Sequence, residues 1–374
     1  MARQTICLNM IVKDEAPVIR RCLDSLRAII DYWVIVDTGS TDATMEIIRE
    51  TLNDVPGELY QEPWVDFAHN RTQALEFARG GATGRPRCDY ILLIDADDVV
   101  ELAENFTMPR LEMDAYLVEI RYGNIVYPSK RLVRGALPWR YIGVLHEYIH
   151  CDVPTTEGIL HGFRDIPTHD GARARDPLTY RRDALVLEKA LLDEPGNARY
   201  VFYLAQTYRD AGDPELAIRY YKRRVEMGEW AEEVWYSLYQ IAAIKERMGK
   251  AWDEVLQDYL AAYQYRADRA EPLYRIGMHY QAKREFHLAY LFLGRAMQLP
   301  IPTGNRLFIE QAAYDYLIPL EFAVACYWLG YHAEAIATNN RLLNHGALPL
   351  HLVETVTKNL QFSLETPARS EIVG

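Results

Sequence analysis

Two short apolar runs constrain this chain most. Residues 33–36 read Trp-Val-Ile-Val and residues 90–94 read Tyr-Ile-Leu-Leu-Ile, and each run stops at an aspartate, Asp37 and Asp95. Strict alternation would bury one face of a strand. A continuous run buries both, as in a mostly parallel sheet covered by helices. Strand signals also span residues 5–12 and 115–121. Between the first two strands, Ile19, Leu23 and Leu26 recur at helical spacing. Strands alternating with helices predict an α/β domain with a Rossmann-like, mostly parallel sheet, whose ligands gather beyond the carboxyl ends of the strands.

After about residue 175 the chain obeys another rule. Of its 26 tyrosines, 18 follow that point. A small residue is followed seven positions later by glycine at Ala205/Gly212, Ala242/Gly249 and Ala323/Gly330. In a further unit Gly277 takes the small position and Arg284 stands where the glycine would be. The first and third units add Tyr208 and Tyr280 three positions on, Ala217 and Ala289 twelve on, and Tyr221 and Leu293 four beyond those. The units are spaced 37, 35 and 46 residues apart, so an insertion precedes the fourth. The pattern resembles tetratricopeptide repeats, helix pairs that bury their faces only by stacking on neighbours. An irregular helical bundle is the plainer alternative. The expected divisions are 1–175 for the α/β domain, 176–365 for an all-α repeat domain, and 366–374 for a flexible tail.

Chemistry concentrates at the strand ends. After Asp37 come Thr38, Gly39, Ser40, Thr41 and Asp42, an exposed turn in which Asp42 is placed to cap the following helix. Capping leaves Asp37 unexplained. Asp95, Asp97 and Asp98 crowd the end of the second run. Their repulsion is costly unless a cation or donors neutralise it. A hard divalent ion such as Mg²⁺ or Mn²⁺, shared between one or two carboxylates and ligand phosphates, is one resolution. Arg71 lies at the start of a predicted helix, where a guanidinium fork suits a diphosphate. A surface pairing with Asp66 or Glu76 is the alternative.

Composition narrows the field. With 41 basic against 53 acidic residues the formal charge is −12, which argues against a nucleic-acid partner. No apolar stretch reaches the ~20 residues of a membrane span. The five cysteines are scattered without a Cys-x-x-Cys, so neither a disulfide framework nor a zinc site is expected. The first twelve residues read as a strand rather than a secretion signal. A cytoplasmic protein is the expectation.

Taken together, residues 9–15 (Asn-Met-Ile-Val-Lys-Asp-Glu), 36–42, 67–71 (Phe-Ala-His-Asn-Arg) and 95–98 resemble the family 2 glycosyltransferases of the GT-A fold, in order and in strand-end placement, across about the first 170 residues. The resemblance implies inverting transfer of a sugar from a nucleotide sugar, usually a UDP-sugar. It implies that Asp37 holds the uracil, that Arg71 lies near the ribose and phosphates, that Asp95 approaches the ribose, and that Asp97 holds the metal on the diphosphate. Asn9, Lys13 and Glu15 belong to the same nucleotide-binding set by their place in the first motif. Members with an attached helical repeat include bacterial peptide S- or O-glycosyltransferases, which this chain resembles in architecture.

Inverting transfer needs a base for the acceptor proton and an electrophile for the departing diphosphate. Residues 139–147 supply Glu147 as the favoured base and His146 as its rival. The Glu-Asp pair common in the family is absent here, and an ion pair between Glu147 and Arg140 is the plainer reading. His169 is a candidate third metal ligand, with His161 competing. Arg173 and Arg175 could meet the diphosphate. The repeats carry exposed-looking Tyr203, Gln206, Arg209, Tyr236, Tyr239, Gln240, Arg275 and His279. That face is expected to present a peptide or saccharide acceptor, with packing between repeats or a homodimer contact as the alternative. A repeat-based scaffold with an inactive glycosyltransferase-like domain is the competing function.

Overall fold

A computed structural model of the protein describes residues 3–81, 87–123, 125–304 and 307–365. The chain divides into two compact units, Met1–Asp213 and Pro214–Gly374. The tail expected at 366–374 lies outside the described residues.

In the first unit β1 (Ile6–Val12), β2 (Tyr32–Asp37), β3 (Gly57–Gln61) and β4 (Tyr90–Leu93) lie parallel in the order β3-β2-β1-β4. Helices α1 (Ile19–Leu26) and α2 (Thr44–Thr51) bury Ile19, Leu23, Leu26 and Ile48 against Ile6, Leu8, Met10 and Ile35. On the opposite face α3 (Phe67–Ala78) buries Leu75 and Ala78 with Cys7, Val34 and Ile91. Because side chains alternate along a strand, a sheet clothed on both faces needs apolar residues at every position. That is why β2 and β4 read as unbroken apolar runs.

Past β4 the sheet turns mixed. β7 (Ile125–Arg134) joins antiparallel, and then come β6 (Ala115–Tyr122), β10 (Glu157–Pro167) and β5 (Asp98–Leu102). The full path is β3-β2-β1-β4-β7-β6-β10-β5. A separate hairpin, β8 (Trp139–Ile142) and β9 (Tyr148–Cys151), brackets residues 143–147. Helices α4 (Ala172–Arg175), α5 (Thr179–Asp193) and α6 (Ala198–Asp210) complete the unit, and α5 packs on α6.

The second unit is helical: α7 (Pro214–Met227), α8 (Ala231–Arg247), α9 (Trp252–Tyr265), α10 (Glu271–Ala282), α11 (Phe286–Met297), α12 (Ile318–Leu329), α13 (His332–Leu343) and α14 (Leu350–Glu365), each packed on the next. The repeat seen in the sequence has a conformational basis. Gly212, Gly249, Arg284 and Gly330 all adopt positive φ, at 81°, 67°, 61° and 80°. Arg284 takes the left-handed turn that glycine takes in the other units, so the geometry recurs where the residue does not. Ala205, Ala217, Ala242 and Ala289 are fully buried. At Gly277 a Cβ would stand 2.6 Å from Cγ of Leu293.

Part of the face expected to be exposed packs inward instead. Tyr236, Tyr239, Gln206 and Gln240 are buried. Tyr239 donates to Glu310 (2.7 Å) and accepts from Arg275 (3.1 Å), while His279 stacks on Trp252. Sequence cannot tell a tyrosine that meets solvent from one whose hydroxyl reaches an acid 71 residues away.

Candidate active site

The parallel strands deliver their carboxyl ends to one edge, where the sheet stops and loops begin. At the end of β2, Asp37 is buried, at 1% exposure. Its Oδ1 accepts from the backbone N–H of Gly39 and of Ser40, both at 3.0 Å. Its Oδ2 is buried and accepts from no described residue. Gly39 sits at φ 106° with open space around it. Asp42 accepts from the N–H of Thr44 (3.0 Å), the first residue of α2, and from that of Ala16 (3.1 Å). It fixes the turn much as a cap would, and it leaves Asp37 to face outward chemistry.

Asn9, placed in the nucleotide set by its motif, points elsewhere. Its amide is buried and donates to the carbonyls of Val34 (3.1 Å) and Ala74 (2.9 Å). It ties β1 to β2 and α3. Lys13 is exposed at the end of β1.

The acidic cluster after β4 is resolved by arginines. Asp95 pairs with Arg71 through Oδ1, and its Oδ2 lies 4.0 Å from Nη1 of Arg131. Burial works against its charge, but Arg71 and Arg131 more than offset that and hold its carboxyl below the usual range. Asp98 opens β5, buried, with Arg131 Nη2 at 3.4 Å. Arg131 also reaches Asp165 through Nε at 2.6 Å, and Asp165 has no exposed surface.

Asp97 is different. It has no cation partner among the described residues, and burial and then Asp95 raise its carboxyl above the usual range. Glu15 is its neighbour: a Cβ on Gly171 would stand 3.0 Å from Oδ2 of Asp97 and 3.1 Å from Oε2 of Glu15. Burial pushes Glu15 up to about 7, with Asp97 adding to the effect and the N–H of Ala172 opposing it. The backbone N–H of Gly171 points at Asp97 (3.4 Å) and that of Ala172 at Glu15 (3.0 Å). Arg21 holds the same segment, bonding Asp170 and Thr168 at 2.7 and 2.8 Å. His169 stacks on Tyr122 and lies near enough for its charge to favour ionised Asp95 and Asp97. His161 is exposed on β10. Among the described residues no three His, Cys, Asp or Glu side chains form an all-protein cation site. A donor set of one or two half-buried carboxylates still suits Mg²⁺ or Mn²⁺, which take remaining ligands from phosphate and water.

Across the cleft Arg71 bridges two acids. Its Nε stands 2.6 Å from Oε1 of Glu147, an ion-pair contact lacking hydrogen-bond alignment. Burial opposes its charge, and Asp95 and Glu147 outweigh burial. The pairings weighed from sequence are absent: Arg140 binds Asp152 (2.7 Å), and Asp66 instead caps α3 at the N–H of His69 (2.7 Å). His146, at φ 50°, stacks on Tyr203 with centroids 4.0 Å apart. Its carbonyl accepts from Arg199 (2.7 Å). Burial first, then Arg199 and Arg173, lower its imidazole to about 4. That direction favours the neutral imidazole. Arg173 itself pairs with Asp183, and Arg175 donates to the carbonyl of Asp14.

Sequence reasoning missed Arg131 and Asp165. A signal existed for the second: Asp165 alternates with Phe163 on the inward face of β10, and an acid on a core-facing position demands a partner.

Comparison with known proteins now fits this geometry. Residues 7–104 match the Glycosyl transferase family 2 profile. A TPR repeat-containing protein of Synechococcus elongatus is 30% identical over 73% of this chain and 69% of its own length. The SPbeta prophage-derived glycosyltransferase SunS of Bacillus subtilis is 24% identical over 59% of this chain and 53% of its own. Among solved structures, a tetratricopeptide repeat protein from Parabacteroides merdae covers 49% of this chain and 67% of its own at 16% identity, with a TM-score of 0.37. The chain belongs to the family 2 glycosyltransferases that carry a tetratricopeptide-like helical region. It is a GT-A-type α/β domain followed by helical repeats, and a glycosyltransferase. No described helix is long and apolar enough to cross a membrane.

Proposed function

We propose that this protein transfers a sugar from a UDP-sugar, with inversion at the anomeric carbon, to a peptide or saccharide acceptor in a reaction that depends on Mn²⁺ or Mg²⁺. The observation that carries the proposal is Asp37, whose Oδ2 is buried at the ligand edge with nothing to accept from. A buried acceptor without a donor is costly. The N3–H of uracil supplies that donor, and cytosine and adenine present no ring N–H in its place.

The remaining roles follow from chemistry. Asp97 would hold the cation, with Glu15 beside it and His169 as a further ligand. When bound, the cation supplies charge neutralisation for the leaving diphosphate. Arg71 orients the donor at the ribose and phosphates, and Asp95 holds Arg71 in place. Glu147 accepts the acceptor's proton as the nucleophile bonds to the anomeric carbon and the bond from that carbon to the diphosphate oxygen breaks. His146, neutral and stacked, shapes the loop that presents Glu147.

The test is a panel of UDP-, GDP- and TDP-sugars with Mn²⁺ or Mg²⁺, scored by release of nucleoside diphosphate and by thermal shift. Release from UDP-sugars, and a UDP-dependent stabilisation of ~2.7 kcal/mol at a hundred times the dissociation constant, are expected. No release and no shift would reject the enzyme and leave the scaffold reading.

A further inference from the structure

The charged groups of the first unit form a chain of alternating sign. Asp165 meets Nε of Arg131 at 2.6 Å, Arg131 meets Asp95 at 4.0 Å, Asp95 pairs with Arg71, and Arg71 meets Glu147 at 2.6 Å. Asp98 branches from Arg131 at 3.4 Å. These residues come from β10, β7, the end of β4, α3 and the loop after β8, so no local element enforces their alignment. Arg131 is the hub. Its side chain is 18% exposed, and the three carboxylates around it hold its charge.

We infer that Arg131 is a positioning residue: through Asp95 it fixes Arg71, and through Arg71 it fixes Glu147. The geometric part stands alone, while its consequence for transfer rests on the function proposed above. The Arg131 guanidinium faces Asp165, Asp98 and Asp95. Asp95 has one oxygen toward each arginine, so displacing Arg131 leaves Asp95 to follow Arg71 alone. A purely structural Arg131 would matter only as counter-charge to the buried acids Asp165 and Asp98. The two roles separate in the double variant Arg131→Gln/Asp165→Asn, which removes the charges of Arg131 and Asp165 together.

The variants to compare are Arg131→Gln/Asp165→Asn, Arg131→Lys and Arg71→Gln, with circular dichroism and melting to confirm folding. Nitrogen-15 NMR of the Arg71 Nε–H, assigned by its loss in Arg71→Lys, reports on that side chain without any donor. In the folded double variant this signal should shift and exchange faster with water, and Arg131→Lys should restore it in part. Calorimetry with UDP and Mn²⁺ should show affinity about tenfold weaker in the double variant. Adding Arg71→Gln to the double variant should leave binding no weaker than in Arg71→Gln alone, because Arg131 acts on the donor only through Arg71. An unchanged Arg71 signal in the folded double variant, or fully additive losses, would overturn the inference. If the wild-type protein binds no UDP, the donor reading fails, and the NMR comparison still decides the role of Arg131.

Discussion

At Asp37 one carboxylate oxygen holds a turn while the other is left for a ligand, and an amide separates the two roles. In Asp37→Asn the N–H groups of Gly39 and Ser40 retain the amide oxygen, which turns the NH₂ toward the nucleobase. Two donors then face each other. UDP affinity should fall about 10–100-fold while melting hardly moves, and a variant that binds UDP normally would remove Asp37 from the base site. His146 makes a prediction about stability. Its folded value near 4 lies below the ordinary 6.5, so the folded protein resists taking that proton. Its contribution is complete above pH 6.5 and is lost as pH falls toward 4. Urea titrations of His146→Asn, a residue that tolerates positive φ, should show a flatter acid limb across that window. An unchanged slope would mean the imidazole titrates normally. Glu15 runs the other way: raised to about 7, it holds its proton in the folded state until a cation arrives. Binding of Mn²⁺ with UDP should therefore strengthen from pH 5.5 to 7.5 and release protons into the buffer. Calorimetry in buffers of different ionisation enthalpy would expose a pH-independent, proton-silent site if this is wrong.

Helix α10 carries the clearest packing test at the scale of an element. Gly277→Ala places a methyl 2.6 Å from Cγ of the fully buried Leu293 on α11. Overpacking of this kind typically costs ~1–3 kcal/mol, and trimming the neighbour in Gly277→Ala/Leu293→Val should recover part of it. A neutral Gly277→Ala in thermal melts would mean α10 and α11 are less tightly apposed. The same elements show why some structure was legible in the sequence. β1, β2 and β4 announced themselves through apolar continuity, and the repeats through a turn that must turn left-handed every 35 to 46 residues. β7 and β10 did not, since Pro128, Ser129 and Lys130 interrupt one and His161, Gly162 and Arg164 the other; their partners are chosen by the sheet. At the site, Asp37, Asp95 and Asp97 could be placed at one edge from sequence because they follow strand ends, and Arg71 because it lies on the predicted helix. Asn9 was grouped with the nucleotide set because a motif does not record which way a strand residue's side chain turns, and its amide holds the carbonyls of Val34 and Ala74. Arg131 and Asp165, 34 residues apart, share no local pattern, and only the fold brings them to 2.6 Å.

On the scale of the whole molecule, an acidic chain of net charge −12 sets two half-buried guanidiniums, Arg71 and Arg131, among Asp95, Asp98, Asp165 and Glu147, where they offset part of the acidic cluster. All five cysteines are free thiols and four are buried. Melting should consequently be the same with and without dithiothreitol, and a reductant-sensitive transition would reveal a disulfide. The short segment leading into α4 has a kinetic meaning. Its N–H groups at Gly171 and Ala172 occupy Asp97 and Glu15, the carboxylates an incoming cation would need. The protein thus contains its own competitor for that position, and measured affinity becomes the intrinsic affinity scaled by the fraction of time the segment stands aside. Arg21, which grips Asp170 and Thr168, holds that segment from outside the site. Selection or engineering could then tune donor capture by adjusting how long one surface arginine holds on, without altering a single group that touches the ligand.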